Sequence, residues 1–133
     1  MAPQYGVSSH LILAKLPRIA GADILVHPAP YRKATVIHDK FERVAHIMRM
    51  PMHKIKPTFP MPSGGITVEM VDKCINALGP DIIIGSSGGI HAHPNGPISG
   101  AKSFRQAIDA VMQGSKIKNY AKDHKELGIA LGT

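Results

Sequence analysis

The sequence predicts an α/β fold built around parallel strands. Short apolar runs alternate with segments of helical periodicity three times along the 133 residues, which is the pattern of parallel strands joined by crossover helices. Glycine-rich turns follow two of the apolar runs and precede helical segments, as the turns of βα units do. The length suits one domain, and a hydrophobic fraction of 44% is typical of a folded chain.

The first part of the chain is predicted to hold a helix followed by the first βα unit. Apolar residues at helical spacing indicate a helix over residues 10–20, which Pro17 is expected to kink or break. The run DILVH predicts a buried strand over residues 23–27, and the stretch 28–33 has the composition of a loop. Residues 35–49 then follow a helical period with one apolar face.

The second βα unit starts in a proline-rich segment. Proline excludes a helix there and leaves room for a short strand near residues 58–61. A tight Ser-Gly-Gly turn at residues 63–65 comes next, and Thr67 is placed to cap a helix over residues 68–78. The apolar face of that helix consists of Val68, Val71, Cys74, Ile75 and Leu78.

The third βα unit has the most strand-like run of the sequence, DIII at residues 81–84. A second glycine-rich turn at residues 85–89 leads into a polar loop. Ser99 is the predicted cap of a helix over residues 101–113, and a last polar helix is expected over residues 116–127.

The formal net charge of +7 leaves the nature of the partner open. The first 57 residues hold nine Lys and Arg against three Asp and Glu, so nearly all of the excess lies there. Nucleic acid, an anionic small substrate such as a sugar phosphate, and a solvated basic surface or subunit contact would each fit this charge. With three Tyr, three Phe and no Trp, stacking platforms for bases are scarce, which disfavours nucleic acid.

Cysteine content and hydropathy indicate the compartment. A single cysteine makes no internal disulfide, so a disulfide-framed secreted domain is excluded. The apolar runs are far shorter than the ~20 residues that span a bilayer, and the N-terminus has no signal-peptide pattern. We therefore expect a soluble, cytoplasmic protein.

The two glycine-rich turns are the candidate binding site. Backbone N–H groups at such turns point outward at the carboxyl edge of a parallel sheet, where they bind anions, and glycine lets the ligand approach closely. Two of them in consecutive βα units would form one phosphate cup, although each could be only a tight turn. The residues of the cup are Ser63, Gly64, Gly65, Ser87, Gly88 and Gly89.

Other residues invite a chemical role less strongly. Lys33, in the loop after the first strand, could close over a substrate and stabilise an enolate, or be an ordinary exposed lysine. His91 and His93 lack a third ligand at metal-binding spacing, so no metal ligand is predicted. His27 is expected to be a hydrogen-bonded histidine at a strand end, and Cys74 a buried, inert thiol.

The same residues resemble the C-terminal part of the RuBisCO large-subunit superfamily. The resemblance covers about residues 6–114 and is nearest to the RuBisCO-like proteins (form IV), which include 2,3-diketo-5-methylthiopentyl-1-phosphate enolase. It rests on three segments: GADILVHPAPYRK (21–33), KPTFPMPSGGI (56–66) and the long glycine-rich segment at residues 85–114.

The resemblance implies a (β/α)8 TIM barrel, of which this chain would form the last three βα units. Residues 1–114 would be the barrel segment and residues 115–133 a tail helix. Lys33 falls at the position of the lysine in the family's flexible loop. The family's substrate- and phosphate-binding turns match Ser63, Gly64 and Gly65 after the seventh strand, and Ser87, Gly88 and Gly89 after the eighth.

The sequence also departs from the family pattern. The family's substrate-binding histidine falls on Val26, and His27 comes one residue later, which is the opposite face of a strand. This change favours a RuBisCO-like enolase or isomerase over a carboxylase. The family's Mg²⁺ ligands and its carbamylated lysine lie on an earlier strand, so Mg²⁺ is expected for the full-length family with no ligand from this chain.

By resemblance, the chain is the C-terminal portion of an enolase or isomerase acting on a phosphorylated diketo sugar derivative of methionine salvage. The alternatives are a sugar-acid-phosphate decarboxylase or transcarboxylase, or a catalytically inactive truncated fragment. The expected partners are a phosphorylated small molecule and either further copies of the chain or a complementary N-terminal part, without nucleic acid or membrane. Exposed sheet edges predict self-association or aggregation of the isolated segment.

Overall fold

The computed structural model describes residues 5–31 and 38–133. The N-terminal helix consists of a π-helical turn (Leu11–Lys15) and α1 (Leu16–Ile19), and it is followed by β1 (Ile24–Pro28), α2 (His38–Arg49) and β2 (Phe59–Ser63). A 3₁₀ turn (Val68–Met70) then leads into α3 (Val71–Leu78), α4 (Ser87–His91), α5 (Gly96–Met112), α6 (Ile117–Tyr120), a second 3₁₀ turn (Ala121–Asp123) and α7 (Lys125–Leu131).

The two strands pair in parallel, which confirms the predicted α/β class. Ile24 lies opposite Phe59 at one end of the register, and Pro28 lies opposite Ser63 at the other. Helix α2 lies between the two strands in the sequence, as expected for a βα unit. Within residues 5–31 and 38–133, no helix is long and apolar enough to cross a membrane.

The predicted third strand is only partly formed. The N–H groups of Ile83 and Gly85 donate to the carbonyls of Pro60 and Pro62 at 3.0 and 2.9 Å, so this segment runs along β2. Proline has no N–H to return these bonds, and half of a parallel ladder is therefore missing. The sheet of the described residues has two strands, and the predicted count of three βα units is not confirmed.

The prediction that Pro17 interrupts the N-terminal helix is confirmed. Pro17 lies in the first turn of α1, where its missing N–H costs little, and the π-helical turn precedes it. The guanidinium of Arg18, which is buried, donates to the main-chain carbonyls of Ile47, Met50, Ile55 and Lys56. This helix is thereby tied to the end of α2 and to the loop that follows it.

The second half of the chain is more helical than predicted. Helix α5 begins at Gly96 rather than after Ser99, because Pro97 in its first turn suits a helix start. The expected single helix over residues 116–127 was wrong, since His124 has an extended backbone (φ −128°, ψ 92°) that separates α6 from α7. Thr67 precedes the 3₁₀ turn but makes no capping hydrogen bond with its side chain.

The main hydrophobic core lies between α2, α3, α5 and the C-terminal helices. The predicted inner faces of α2 and α3 are confirmed by the burial of Phe41, Val44, Met48, Val71, Cys74 and Leu78. Ile117, Ala121 and Leu127 belong to the same core as α3 and α5. The C-terminal residues therefore pack onto the βα segment.

Candidate functional site

Ser63 lies where three segments of the chain end side by side. On one flank it pairs with Pro28 of β1, and the Ala29 N–H donates to the Ser63 carbonyl at 2.9 Å. On the other flank it forms a parallel bridge with Gly85. The Ser63 hydroxyl reaches the Gly85 carbonyl at 3.4 Å, which is long for a hydrogen bond and leaves the hydroxyl able to serve a ligand. Both glycine-rich turns therefore leave the sheet at the same edge.

The first turn needs glycine for its backbone. Gly64 and Gly65 have φ values of +104° and +85°, a left-handed region that other residues rarely adopt. Nothing lies within 4 Å of a Cβ built on Gly64, so the main chain there is open to a ligand. Ile66 directly after the turn is buried and anchors it to the core.

The second turn is not a loop, as predicted, but the beginning of α4. Ser87, Gly88 and Gly89 are its first three residues, and the Ile90 N–H donates to the Ser86 carbonyl at 3.0 Å. The N–H groups of those three residues precede this bond and have no acceptor within the helix. Ser87 and Gly88 are exposed, and nothing lies within 4 Å of a Cβ built on Gly88.

Gly89 differs from Gly88 in what surrounds it. A Cβ atom there would collide with the Ile66 carbonyl oxygen and lie 2.8 Å from the Phe104 ring. Glycine at this position lets α4 pack directly against the residue that follows the first turn. Packing alone therefore accounts for Gly89.

The structure places Val26 and His27 on opposite faces of β1. Val26 is on the same face as Ser63 and is exposed, whereas His27 is buried and its ring stacks on Phe41 with 4.9 Å between centroids. Neither ring nitrogen of His27 has a hydrogen-bond partner, so the expectation of a hydrogen-bonded histidine was wrong. Burial lowers the pKa of His27 from 6.5 to about 4, and the ring is neutral at pH 7.

Lys33 lies outside the described residues. His93 is buried, with Nε2 at 3.0 Å from the Glu126 carbonyl oxygen and Nδ1 accepting from the Asn95 N–H at 3.1 Å. Both of its ring nitrogens are therefore engaged. Cys74 is buried, and burial raises the pKa of its thiol to about 11, which confirms the expectation of an inert cysteine.

No set of three His, Cys, Asp or Glu side chains in residues 5–31 and 38–133 could hold a metal ion. The described part of the chain therefore does not fit a Mg²⁺ site, and no step through the metal is assigned to it.

Two features of the site region were missed from the sequence. Gly85 sets the approach of the second turn to Ser63, and its only signal is a glycine at the end of an apolar run. The buried prolines Pro60 and Pro62 accept hydrogen bonds from the neighbouring segment. Their alternation at every second position is the signal that one edge of β2 lacks donors.

Parallel strands, an intervening helix and glycine turns gathered at one sheet edge define an α/β protein of the βα-unit class with an anion-binding type of edge. The particular family follows from comparison with known proteins. The family model described as ribulose bisphosphate carboxylase large chain, catalytic domain, matches residues 2–133. The chain belongs to this family.

Curated relatives include RuBisCO-like proteins and enolases. A ribulose bisphosphate carboxylase-like protein of Archaeoglobus fulgidus is 55% identical over 125 residues, which is 93% of this chain and 29% of that protein. A 2,3-diketo-5-methylthiopentyl-1-phosphate enolase of Bacillus licheniformis is 39% identical over 137 residues, with 98% and 32% covered. The chain thus spans about a third of the length of these relatives.

Solved structures agree. A rubisco-like protein of Alicyclobacillus acidocaldarius superposes with a TM-score of 0.90 at 34% identity, covering 99% of this chain and 33% of that chain. The octameric ribulose-1,5-bisphosphate carboxylase/oxygenase of Pyrococcus horikoshii gives 0.91 at 30% identity, with 97% and 31% covered. The resemblance stated from the sequence is therefore confirmed.

Proposed function

We propose that this chain supplies the phosphate-binding edge of a RuBisCO-like enolase or isomerase that acts on a phosphorylated diketo sugar derivative of the methionine-salvage type. The support from similarity is a group of enolases 35–39% identical to this chain. Because the chain spans about a third of their length, the activity of the whole enzyme is itself part of the proposal.

The observation that carries the proposal is the position of Ser63 between Pro28 and Gly85. It gathers free main-chain N–H groups from two turns around one hydroxyl. The phosphoryl group would accept from the Ser63 hydroxyl and from the N–H groups of Gly64, Gly65, Ser87 and Gly88. Such donors are fixed by the fold before the ligand arrives, so binding costs little reorganisation.

Lys33 completes the proposed site. It comes five residues after Pro28, the last residue of β1, and β1 ends at the same edge as the two turns. A lysine ammonium held over the reacting carbons would stabilise the negative charge of an enolate as it forms. Its role is to close over a substrate whose phosphate is already bound.

Val26 supports an enolase or isomerase rather than a carboxylase. An exposed apolar side chain stands on the face shared with Ser63, while the neighbouring His27 is buried on the other face. This face of β1 therefore offers no imidazole to a substrate. We further propose that the enzyme is oligomeric, since the solved relatives include an octameric and a dimeric assembly.

The test is a titration of the chain with inorganic phosphate and with a phosphorylated sugar, followed by amide chemical shifts. We expect saturable shifts at Gly64, Gly65 and Gly88, and none at Gly114 and Gly132, whose left-handed glycines end helices elsewhere. Unmoved resonances at the three site glycines, at concentrations of either ligand in the millimolar range, would refute phosphate binding.

A matched pair of variants at Ser87 separates charge from shape. Ser87 is exposed, so Ser87→Asp and Ser87→Asn should fold equally well. The aspartate places a negative charge beside the phosphate, and about 1 kcal/mol of repulsion per charge pair predicts affinity about tenfold or more weaker. The asparagine should keep most of the affinity; equal affinities for the two variants would contradict the site.

A further inference from the structure

We propose that the side of the molecule formed by the N-terminal helix and β1 docks the part of a RuBisCO-like chain that these 133 residues do not span. That part would add an apolar strand, parallel to β1, along the outer edge of the sheet and lay apolar side chains over the adjoining helix. We name this area the open surface, and its residues are Ile12, Leu16, Ile19, Ile24, Val26 and Phe59.

The N-terminal helix has two sides that call for burial. On one side Ala14 and Arg18 are buried against α2 and the loop that follows it. On the other side Ile12, Leu16 and Ile19 recur at helical spacing, yet each is about half exposed. A surface helix of a complete globular domain has one apolar stripe facing its core, so the second stripe indicates a missing neighbour.

The sheet shows the same imbalance. On one face His27, Pro60 and Pro62 are fully buried, while on the other face Ile24, Val26 and Phe59 are exposed. Together with the helical stripe, these six residues range from 46% to 59% exposure. Parallel strands are usually covered on both faces, and their sequences are then apolar throughout, as that of β1 is.

The outer edge of β1 is open to pairing. β1 meets β2 through the Asp23 carbonyl, which accepts from the Phe59 N–H at 2.9 Å, and through the Ala29 N–H. Because main-chain groups alternate sides along a strand, the N–H and C=O groups of Ile24 and Val26 point to the outer edge. Neither a lysine nor a bulge protects this edge, as such features protect most exposed edges.

The comparisons identify the occupant. This chain superposes on solved relatives with a TM-score of 0.91 over 97% of its own length, but it accounts for only 31% of the relative. The fold seen here is therefore embedded in a larger body of the same chain in those relatives, and its exposed apolar residues have a covering segment available there. A second copy of this chain is disfavoured, because each copy carries a formal charge of +7.

This inference rests on family membership and not on phosphate binding, so its test is done without phosphate. The tagged chain is co-expressed with the Archaeoglobus fulgidus RuBisCO-like protein from which the stretch matched by this chain has been removed. We expect an equimolar complex by affinity purification and size-exclusion chromatography. Amide hydrogen exchange at Ile24 and Val26 should slow by more than tenfold in the complex.

Variants assign the binding to the open surface. Leu16→Glu and Val26→Lys place charges on it and should reduce recovery of the complex at least tenfold. Ile98→Lys changes an equally apolar, more exposed residue of α5 and should leave recovery unchanged. Leu16 and Val26 are already exposed, so the charged variants should fold, as circular dichroism would show.

Three outcomes would overturn the inference. One is that the complementary segment is recovered alone or only in inclusion bodies, although the chain is folded. Another is a homo-oligomer that Val26→Lys dissociates, with no heteromeric complex, which would make a second copy the occupant. The third is a complex that Ile98→Lys weakens as much as Val26→Lys, which would mean that binding does not use this surface.

Discussion

Gly85 lies so close to Ser63 that a Cβ atom on Gly85 would stand 2.8 Å from the Ser63 Cβ. The same atom would stand 2.9 Å from the carbonyl oxygen of Pro62. Both neighbours belong to β2, so neither can move without disturbing the pairing with β1. The absence of a side chain at one position thus sets the distance between the two glycine turns of the candidate site.

Gly85→Ala should therefore destabilise the protein and separate the two turns. Overpacking at a position enclosed by backbone costs about 1 to 3 kcal/mol, and the urea midpoint should fall accordingly. Gly88→Ala is the matched control, because nothing lies within 4 Å of its Cβ and its φ is not left-handed. This control should be neutral or slightly stabilising; equal losses in the two variants would contradict the close approach at Gly85.

His27 should make stability depend on pH between about 4 and 6.5. The folded state keeps the ring neutral down to about pH 4, whereas the unfolded chain takes up a proton near 6.5. The unfolded state binds more protons in this window, so stability is complete above it and is lost as the pH falls. The loss should be on the order of 2 to 3 kcal/mol.

The measurement is urea unfolding at pH 7 and pH 4.5 for the natural chain and for His27→Phe. Phenylalanine keeps a ring against Phe41 but has no proton to take up, so its stability should fall less. His46→Gln, at an exposed position of α2, is the control and should keep the full pH dependence. If His27→Phe loses as much stability on acidification as the natural chain, His27 is not the titrating group.

Arg18 should contribute strongly to stability although it has no carboxylate partner. Its guanidinium satisfies four carbonyls around the end of α2, at distances from 2.7 to 3.0 Å. Arg18→Met keeps the apolar stem but leaves these carbonyls without donors, which should cost about 3 kcal/mol or more. Arg18→Lys should be nearly as damaging, because one ammonium cannot replace the planar fork.

The measurement for Arg18 is the urea midpoint together with hydrogen exchange in residues 50–58. Arg105→Ala serves as the control, since Arg105 is exposed and pairs only with Asp109 on its own helix. It should leave the midpoint nearly unchanged. A small effect of Arg18→Met, similar to that of Arg105→Ala, would show that the loop is held by other contacts.

Cys74 should resist alkylation in the folded protein. The thiol is fully buried, and burial raises its pKa to about 11, so little thiolate forms at pH 8. Labelling with iodoacetamide should be slow in buffer and rapid in concentrated urea, with the rate following the unfolding curve. Because Cys74 is the single cysteine of the chain, the reaction has one product. Rapid labelling without denaturant would contradict the packing of α3.

Much of the local structure could be predicted from the sequence. The periodicity of α2 and α3 predicted their buried faces, and the apolar runs predicted β1 and β2 within one or two residues. The resemblance also identified the family correctly. Helix starts were less predictable, as at α5, where Pro97 and not Ser99 marks the first turn. Periodicity reports burial reliably because it depends on residues within a few turns of one another.

The sequence by itself determined the class of fold, the inner faces of the helices and the identity of the two glycine turns. The tertiary structure alone decided that Ser63 stands beside Gly85, 22 residues away, and that Val26 faces the side of Ser63 while His27 is buried. It also decided that Gly89 serves packing against Ile66. The physical reason is that parallel register joins segments distant in the chain, and no local pattern of residues specifies which of them meet.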